Sequence, residues 1–313
     1  MHPSSRIYVA GHRGLVGSAI VRKLGALGYS DLVVRPRSEL DLTRQSAVEA
    51  FFASERPEVV FLAAARVGGI VANDSRPADF IRDNLAIQTN VIEAARRSGA
   101  RKLLFLGSSC IYPRLAPQPI REESLLTGPL EPTNEAYAIA KIAGYMMCRA
   151  YWRQHGFKAI SLMPTNLYGP HDNFDPTGSH VVPGLMRRFH EAKLAGAPEV
   201  AVWGSGTPRR ELLHVDDLAD AAVMLMNTYD SPDIINVGTG EDATIADIAA
   251  AVKNAVGYRG RIVFDRSKPD GTPRKVLDVS RITALGWRPK IAFADGLGET
   301  YRWFVANVAD RAA

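Results

Sequence analysis

"RIYVAGHRGLVGSAIVRKLG" (Arg6 to Gly25) decides the fold. After Arg6 its opening residues are apolar and rich in β-branched and aromatic side chains, as a buried strand requires. Glycines follow at Gly11, Gly14 and Gly17, and Val16, Ile20, Leu24 and Leu27 then recur with helical spacing. A strand, a glycine turn and a helix in that order aim the helix N-terminus at the end of the strand. Its unpaired N–H groups and positive dipole end suit a pyrophosphate, and glycine lets phosphate approach the backbone. The spacing is GxxGxxG rather than the commoner GxGxxG, so the strand–turn–helix context carries the reading. A glycine-rich turn without a ligand is the competing one.

Beyond Gly25 the alternation persists. "DLVVRPR" (Asp31 to Arg37), "EVVFLAAA" (Glu58 to Ala65), "KLLFLGSS" (Lys102 to Ser109) and "KAISLMPTNLYGP" (Lys158 to Pro170) read as strands. "RQSAVEAFFASERP", "PADFIRDNLAIQTNVIEAARRSG" and "YAIAKIAGYMMCRAYWRQHG" read as the helices between them. The strands are apolar runs, as expected when helices cover both faces of a parallel sheet. The class is therefore α/β, a Rossmann-type doubly wound parallel sheet with a smaller C-terminal α/β substrate lobe. Past Tyr168 the pattern loosens, and "ELLHVDDLADAAVMLMN" and "DIINVGTG" return to the first domain. The expected division is 1–168 with roughly 211–240 for the nucleotide-binding domain, and 169–210 with 241–313 for the substrate domain.

The 313 residues are 46% hydrophobic, enough for such a core, yet no run nears the length of a membrane span. The N-terminal stretch lacks the apolar region of a secretory signal. Two cysteines, Cys110 and Cys148, allow no disulfide framework and point to reduced thiols in a cytoplasmic protein. They also offer too few ligands for zinc, so no metal is expected. A net charge of +5 is too mild to argue for nucleic acid. It suits a small anionic ligand, and equally a solvated basic surface.

An NAD site wants an acid at the second strand end for the ribose 2′-hydroxyl. That place holds "RPR", with Arg37 twenty residues after Gly17, and Arg13 lies inside the glycine loop. Guanidinium groups there attract a 2′-phosphate, so the cofactor is expected to be NADP(H). Asp41, the nearest acid, lies beyond the expected place. The competing reading makes Arg35 and Arg37 a solvated strand end.

"YAIAK" puts Tyr137 and Lys141 on one helical face. A phenol transfers protons poorly near neutral pH, and an ammonium beside it favours the phenolate. Ser108 and Ser109, at the end of the fourth strand, can hydrogen-bond a carbonyl undergoing reduction. Cys110 follows in "GSSCIYP". Its thiol could pack, act as a nucleophile or carry a proton, whereas Cys148 lies in an apolar helix and reads as packing.

Together "GHRGLVG", "GSSCIYP" and "YAIAK" resemble the extended short-chain dehydrogenase/reductases. "LAAARVGGIVAN", "LEPTNEAYAIAKIAG", "MPTNLYGPHDNF", "VWGSGTPRRELLHVDD" and "KPDGTPRK" narrow the resemblance to the GDP-L-fucose synthase family, over nearly the whole chain. Only the stretch around Asn227 to Asp233 is shorter than that pattern, and it lies away from the motifs. The resemblance implies NADPH-dependent conversion of GDP-4-keto-6-deoxy-D-mannose to GDP-L-fucose by a homodimer. Cys110 and His180 would epimerise C3 and C5, whose hydrogens the 4-keto group acidifies. Cys110 is implied as base and His180 as acid, a direction the residues alone leave open. Tyr137 would then protonate the C4 oxygen, with Ser108 binding that oxygen and Lys141 tuning the phenol and holding the ribose.

The implied cofactor contacts are Gly11, His12, Arg13, Gly14, Leu15, Val16 and Gly17 in the first turn, and Arg37, Asp41 and Leu42 after the second strand. Leu106, Gly107, Ser108 and Ser109, then Lys141, then Pro164, Thr165, Asn166 and Leu167, and finally His180 complete them. Arg188, Trp203, Arg210, Asp270 and Lys275 are implied to hold the GDP-sugar. The alternatives are a nucleotide-sugar 4-epimerase or dehydratase of the same fold, and a non-catalytic nucleotide- or RNA-binding relative. A 4-epimerase favours an acid at the second strand end, a dehydratase has acidic groups where Cys110 stands, and a non-catalytic relative is expected to lose Tyr137 or Lys141.

Overall fold

The computed structural model describes every residue except 177, 269 and 310–313. Its first half runs β1 (Ile7–Ala10), α1 (Leu15–Ala26), β2 (Leu32–Val33), α2 (Gln45–Glu55), β3 (Val59–Leu62), α3 (Ile70–Ser75), α4 (Pro77–Arg97), β4 (Lys102–Leu106), α5 (Glu135–His155) and β5 (Lys158–Pro164). There follow β6 (Asn166–Tyr168), α6 (Val181–Leu194), β7 (Glu199–Trp203), β8 (Arg209–His214), α7 (Val215–Thr228) and β9 (Ile234–Val237). The chain closes with β10 (Asp242–Thr244), α8 (Ile245–Val256), β11 (Arg261–Asp265), β12 (Arg274–Lys275), α9 (Ser280–Ala284) and α10 (Phe293–Asn307).

Six parallel strands form one sheet in the order β2-β1-β3-β4-β5-β9. Successive residues alternate between its faces. Ile7 and Val9 pack with Phe61, Leu104 and Leu106 against α1 and α7. Tyr8 and Ala10 pack with Val60, Leu62 and Phe105 against α2, α4 and α5. Both faces are therefore covered, which explains the unbroken apolar runs. The strand order reverses between β1 and β3, and such a switch point opens a crevice at the carboxyl ends of the strands.

A second sheet has the order β10-β8-β12, with β6 also paired to β8, and β7 pairs with β11. A third apolar cluster lies under α6, α8 and α10. Thr244 and Asp247 form a capping box at the start of α8, a device worth about 1 kcal/mol. No helix among the described residues is long and apolar enough to cross a membrane.

Three expectations need correction. The second strand is only Leu32–Val33, because Pro36 cannot donate to a ladder and its carbonyl accepts from Glu39 and Leu40 in a turn. The long fifth strand is two: the chain leaves the first sheet at Thr165, and β6 joins β8 instead. β8 itself does not return to the first sheet, although α7 after it packs against α1 and β9 joins β5. One buried side chain ties these pieces together. The Glu211 carboxylate accepts N–H bonds from Thr239 at 2.6 Å, Gly240 at 2.8 Å and Leu277 at 2.8 Å.

Candidate active site

Gly11 has φ +85°, and a Cβ there would meet Ala64 N at 2.8 Å; one on Gly17 would meet Gly11 O at 2.1 Å. The turn from β1 into α1 thus lies against the end of β3 and closes on itself only with hydrogens at these positions. Gly14 is different: a Cβ there would have 3.5 Å to its nearest neighbour, so packing within the chain does not require that glycine. Leu15 opens α1, Val16 is half-buried and Arg13 is exposed beside them. His12 Nδ1 is buried without a hydrogen-bond partner, and desolvation, with the charge of Arg13, lowers the imidazole pKa. A glycine cradle, an orphaned ring nitrogen and a helix N-terminus fit an anionic dinucleotide.

Arg37 is free to reach outward: its side chain is 77% exposed and only 3.9 Å from Asp41 at its nearest ion pair. Arg35 instead binds Glu55 at 2.5 Å and lies over Phe51, so it belongs to the scaffold. Asp41 is held ionised chiefly by the Thr43 N–H. Leu42 and Leu106 are buried in the floor. Thr165 donates its N–H to Val237 O, and the Asn166 amide donates to Glu211 O at 2.9 Å. These two fix the backbone of Pro164 to Leu167 at the same sheet edge, where Gly107 donates its N–H to Leu162 O.

Beyond β4 the chain makes a 3-10 turn through Ser109, Cys110 and Ile111, with Ser108 as its cap. Ser108 Oγ accepts the Cys110 N–H at 3.2 Å. The same hydroxyl faces the Cys110 thiol and the Tyr137 phenol, favouring the charged form of each. Ser109 is buried behind them. Tyr137 and Lys141 share a face of α5 as expected. Lys141 Nζ donates to Leu106 O at 2.7 Å and sits 5.8 Å from the Tyr137 ring centre. Burial, and next the nearby Cys110 charge, push the phenol up rather than down. Burial pulls Lys141 down to about 8.

Cys110 is half-buried, and its Sγ accepts from Asn134 Nδ2 and Lys275 Nζ, each at 3.4 Å. Burial alone would raise the thiol, yet the Lys275 charge and the hydrogen bonds from Ser108, Lys275 and Asn134 bring it below its ordinary value. A cavity of about 50 Å³ adjoins it, lined among others by Ser109, Arg114, Gln118 and Glu131. Cys148 is fully buried and burial raises its thiol to about 12, as packing requires.

His180 precedes α6 and makes no capping bond there. Crowding by the surrounding protein, and then the Lys275 charge, lower its imidazole although the residue is open to solvent. Its loop is held from across the cleft: Gly69 N donates to Gly178 O at 3.1 Å. A Cβ on Gly69 would stand 2.9 Å from Ser179 O, so only glycine permits this approach.

Arg210 and Lys275 lie paired on β8 and β12, and burial lowers Arg210. Arg188 reaches Ala201 O at 3.0 Å beside β7, and Trp203 at its end is 58% exposed under Lys268. The Asp270 carboxylate accepts from Ser205 N at 2.7 Å and Ser205 Oγ at 2.6 Å. It shapes the glycine turn after Trp203 and stays exposed to solvent. Elsewhere His214, Asp216 and Glu299 cluster, but His214 Nδ1 caps α7 and Asp216 pairs with Arg22.

Asn134, Gly69 and Glu211 escaped sequence reasoning. Asn134 starts α5, where asparagine ordinarily caps a helix, yet it makes no capping bond because its amide points to the thiol. Its sequence signal is an Asn three residues before the Tyr137 of the Tyr–Lys pair.

The sequence profile of the NAD dependent epimerase/dehydratase family matches residues 7–238. The chain belongs to this family. Probable GDP-L-fucose synthase 1 of Oryza sativa subsp. japonica is 64% identical over 97% of the chain and 93% of the rice protein. GDP-L-fucose synthase of Escherichia coli (strain K12) is 58% identical over 96% of the chain and 97% of that protein. Among solved structures, a GDP-L-fucose synthetase from Naegleria fowleri bound to NADP is 30% identical with TM-score 0.91, covering 99% of the chain and 96% of that one. In this member of the epimerase/dehydratase family a thiol adjoins the strand-end serines and the Tyr–Lys pair, an arrangement suited to enolisation and carbonyl reduction in one cleft.

Proposed function

We propose that the chain converts GDP-4-keto-6-deoxy-D-mannose to GDP-L-fucose, epimerising C3 and C5 and then reducing C4. The observation that carries this reading is Cys110 on the same turn as Ser108, its Sγ between Asn134 and Lys275. NADP(H) is the cofactor, held by the Gly11–Gly17 turn, Arg37 and the Pro164–Leu167 segment, and when bound it supplies the hydride. The Cys110 thiolate removes a proton from carbon beside the ketone, and the electron pair moves to the C4 oxygen. His180 returns a proton to the opposite face. Ser108 then hydrogen-bonds the C4 oxygen and Tyr137, which burial keeps protonated, gives it a proton. Arg188 and Arg210 hold the diphosphate, and exposed Trp203 offers a flat face to the base.

The division into 1–168 with 211–240 and 169–210 with 241–313 belongs to the same reading. All six strands of the first sheet fall in the first part, while β6 of that part and β8, which straddles the boundary at 210, belong to the second sheet. A homodimer is part of the proposal, supported by half-exposed Ile139 and Met146 on α5. So is a cytoplasmic location, supported by two free cysteines. Incubation with NADPH and GDP-4-keto-6-deoxy-D-mannose should consume NADPH and yield GDP-L-fucose. Absence of NADPH oxidation at high enzyme concentration overturns the reading.

A further inference from the structure

In the β8–β12 pair, Arg209 lies opposite Arg274 and Arg210 opposite Lys275. Alternation along strands sends the two couples to opposite faces. Arg209 and Arg274 share Asp242, at 2.8 and 2.5 Å. On the other face, among the described residues, no carboxylate comes within 4 Å of Arg210 or Lys275. One face has a carboxylate shared between its two cations, and the other keeps two cations with none. The sulfur of Cys110 takes the place of the missing anion, 3.4 Å from Lys275 Nζ. Asn134 gives it a second N–H at the same distance, at the expense of capping α5.

We propose that Lys275, assisted by Asn134, is a positioning residue that holds Cys110 as a thiolate in the resting enzyme, and is not primarily a ligand of the GDP-sugar. The inference rests on the proposed epimerisation only for its catalytic consequence. The other groups facing the sulfur agree with it. Ser108 and Tyr137 present hydroxyls from the turn after β4 and from α5, and Arg210 adds a second cation. The nearest acid, Glu131, is taken up by Arg114 at 3.2 Å and by Thr272. His180, just before α6, feels the same Lys275 charge, which lowers its imidazole. When sulfur takes the substrate proton, the C–H bond breaks, S–H forms and the pair moves to the ketone oxygen. The thiol proton lost beforehand has gone to water.

The test is the rate of Cys110 alkylation by iodoacetamide between about pH 5.5 and 9.5, read on its peptide by mass spectrometry. Wild type should show a midpoint below the ordinary thiol value of about 8.5. Lys275→Met should raise it by about one unit or more, Lys275→Arg should restore it, and Asn134→Ala should raise it less. A Lys275→Met midpoint equal to wild type overturns the proposal, because loss of a mere substrate contact leaves thiol titration unchanged. Buried Cys148 must stay unlabelled, which reports folding. Should the variants unfold, ultraviolet thiolate absorbance of the wild type decides: a midpoint at or above the ordinary value overturns the proposal, and one below supports it. No substrate enters these measurements. A normal thiolate with no solvent deuterium entry into the ketosugar would sink the epimerase reading alone.

Discussion

Ser108 Oγ accepts the Cys110 N–H over 3.2 Å, so the hydroxyl proposed for carbonyl reduction and the thiol proposed for epimerisation sit on one turn. Neither can shift without the other. The two proposed chemistries should nevertheless be separable by substitution, because each is assigned to different atoms.

Cys110→Ser should cut solvent deuterium incorporation at C3 and C5 by on the order of 100-fold or more, the usual contribution of a positioned proton carrier. NADPH affinity should stay near wild type. Mass spectrometry of the ketosugar in deuterated water checks it, and unchanged exchange removes Cys110 from the mechanism.

Tyr137→Phe should do the reverse. NADPH oxidation should fall by on the order of 100-fold while deuterium entry persists, since only the phenol's proton is lost. Stopped-flow absorbance with parallel exchange measurements separates the two, and equal losses in both would refute the division of labour.

Arg37→Ala should raise the KM for NADPH by roughly 10- to 100-fold, the value of a charge-assisted hydrogen bond to phosphate, and leave that for NADH nearly unchanged. Initial rates with each cofactor decide. Similar effects on both would return Arg37 to the solvated surface.

Lys141 sets a pH dependence. Burial lowers it to about 8 in the folded chain from 10.5 in the unfolded one. The unfolded state therefore binds more protons between those values, and folding stability gains as pH rises through that window. Relative to Lys141→Met, wild type should gain about 1–2 kcal/mol between pH 7.5 and 9.5. Urea titrations at both pH values test this, and a constant difference contradicts it.

Gly69→Ala forces a Cβ toward Ser179 O, 2.9 Å away before relaxation, and so displaces the His180 loop. Misplacement of a reacting group costs on the order of tenfold or more. Deuterium exchange should fall accordingly while NADPH KM changes by less than about twofold. Unaltered exchange would mean that the loop tolerates the shift.

The glycine turn, the parallel strands and the serine–cysteine–tyrosine–lysine set were legible because each is written in a short segment. Gly11 and Gly17 are dictated by contacts within their own turn and the adjacent strand. The break at Thr165 was not legible, since "KAISLMPTNLY" stays apolar through the change of sheet and only the pairing partner differs. The bareness of Lys275 was hidden for a related reason. It depends on register with Arg210 and on Asp242, both far away in sequence. The bond between Asp270 and Ser205 was hidden likewise, since the two are 65 residues apart.

Glu211 carries one more consequence, in the order of synthesis. Its carboxylate is complete only when the N–H of Leu277 arrives, and Lys275, two residues earlier, comes with it. A chain emerging from the ribosome can form the first sheet long before then. Until Leu277 follows, one acceptor of that buried carboxylate is short of its donor, at a cost of about 1–3 kcal/mol. Over the same interval Cys110 lacks its cation. A chain cut short before Leu277 would thus be weakened at the same place where the complete one brings Lys275 to Cys110.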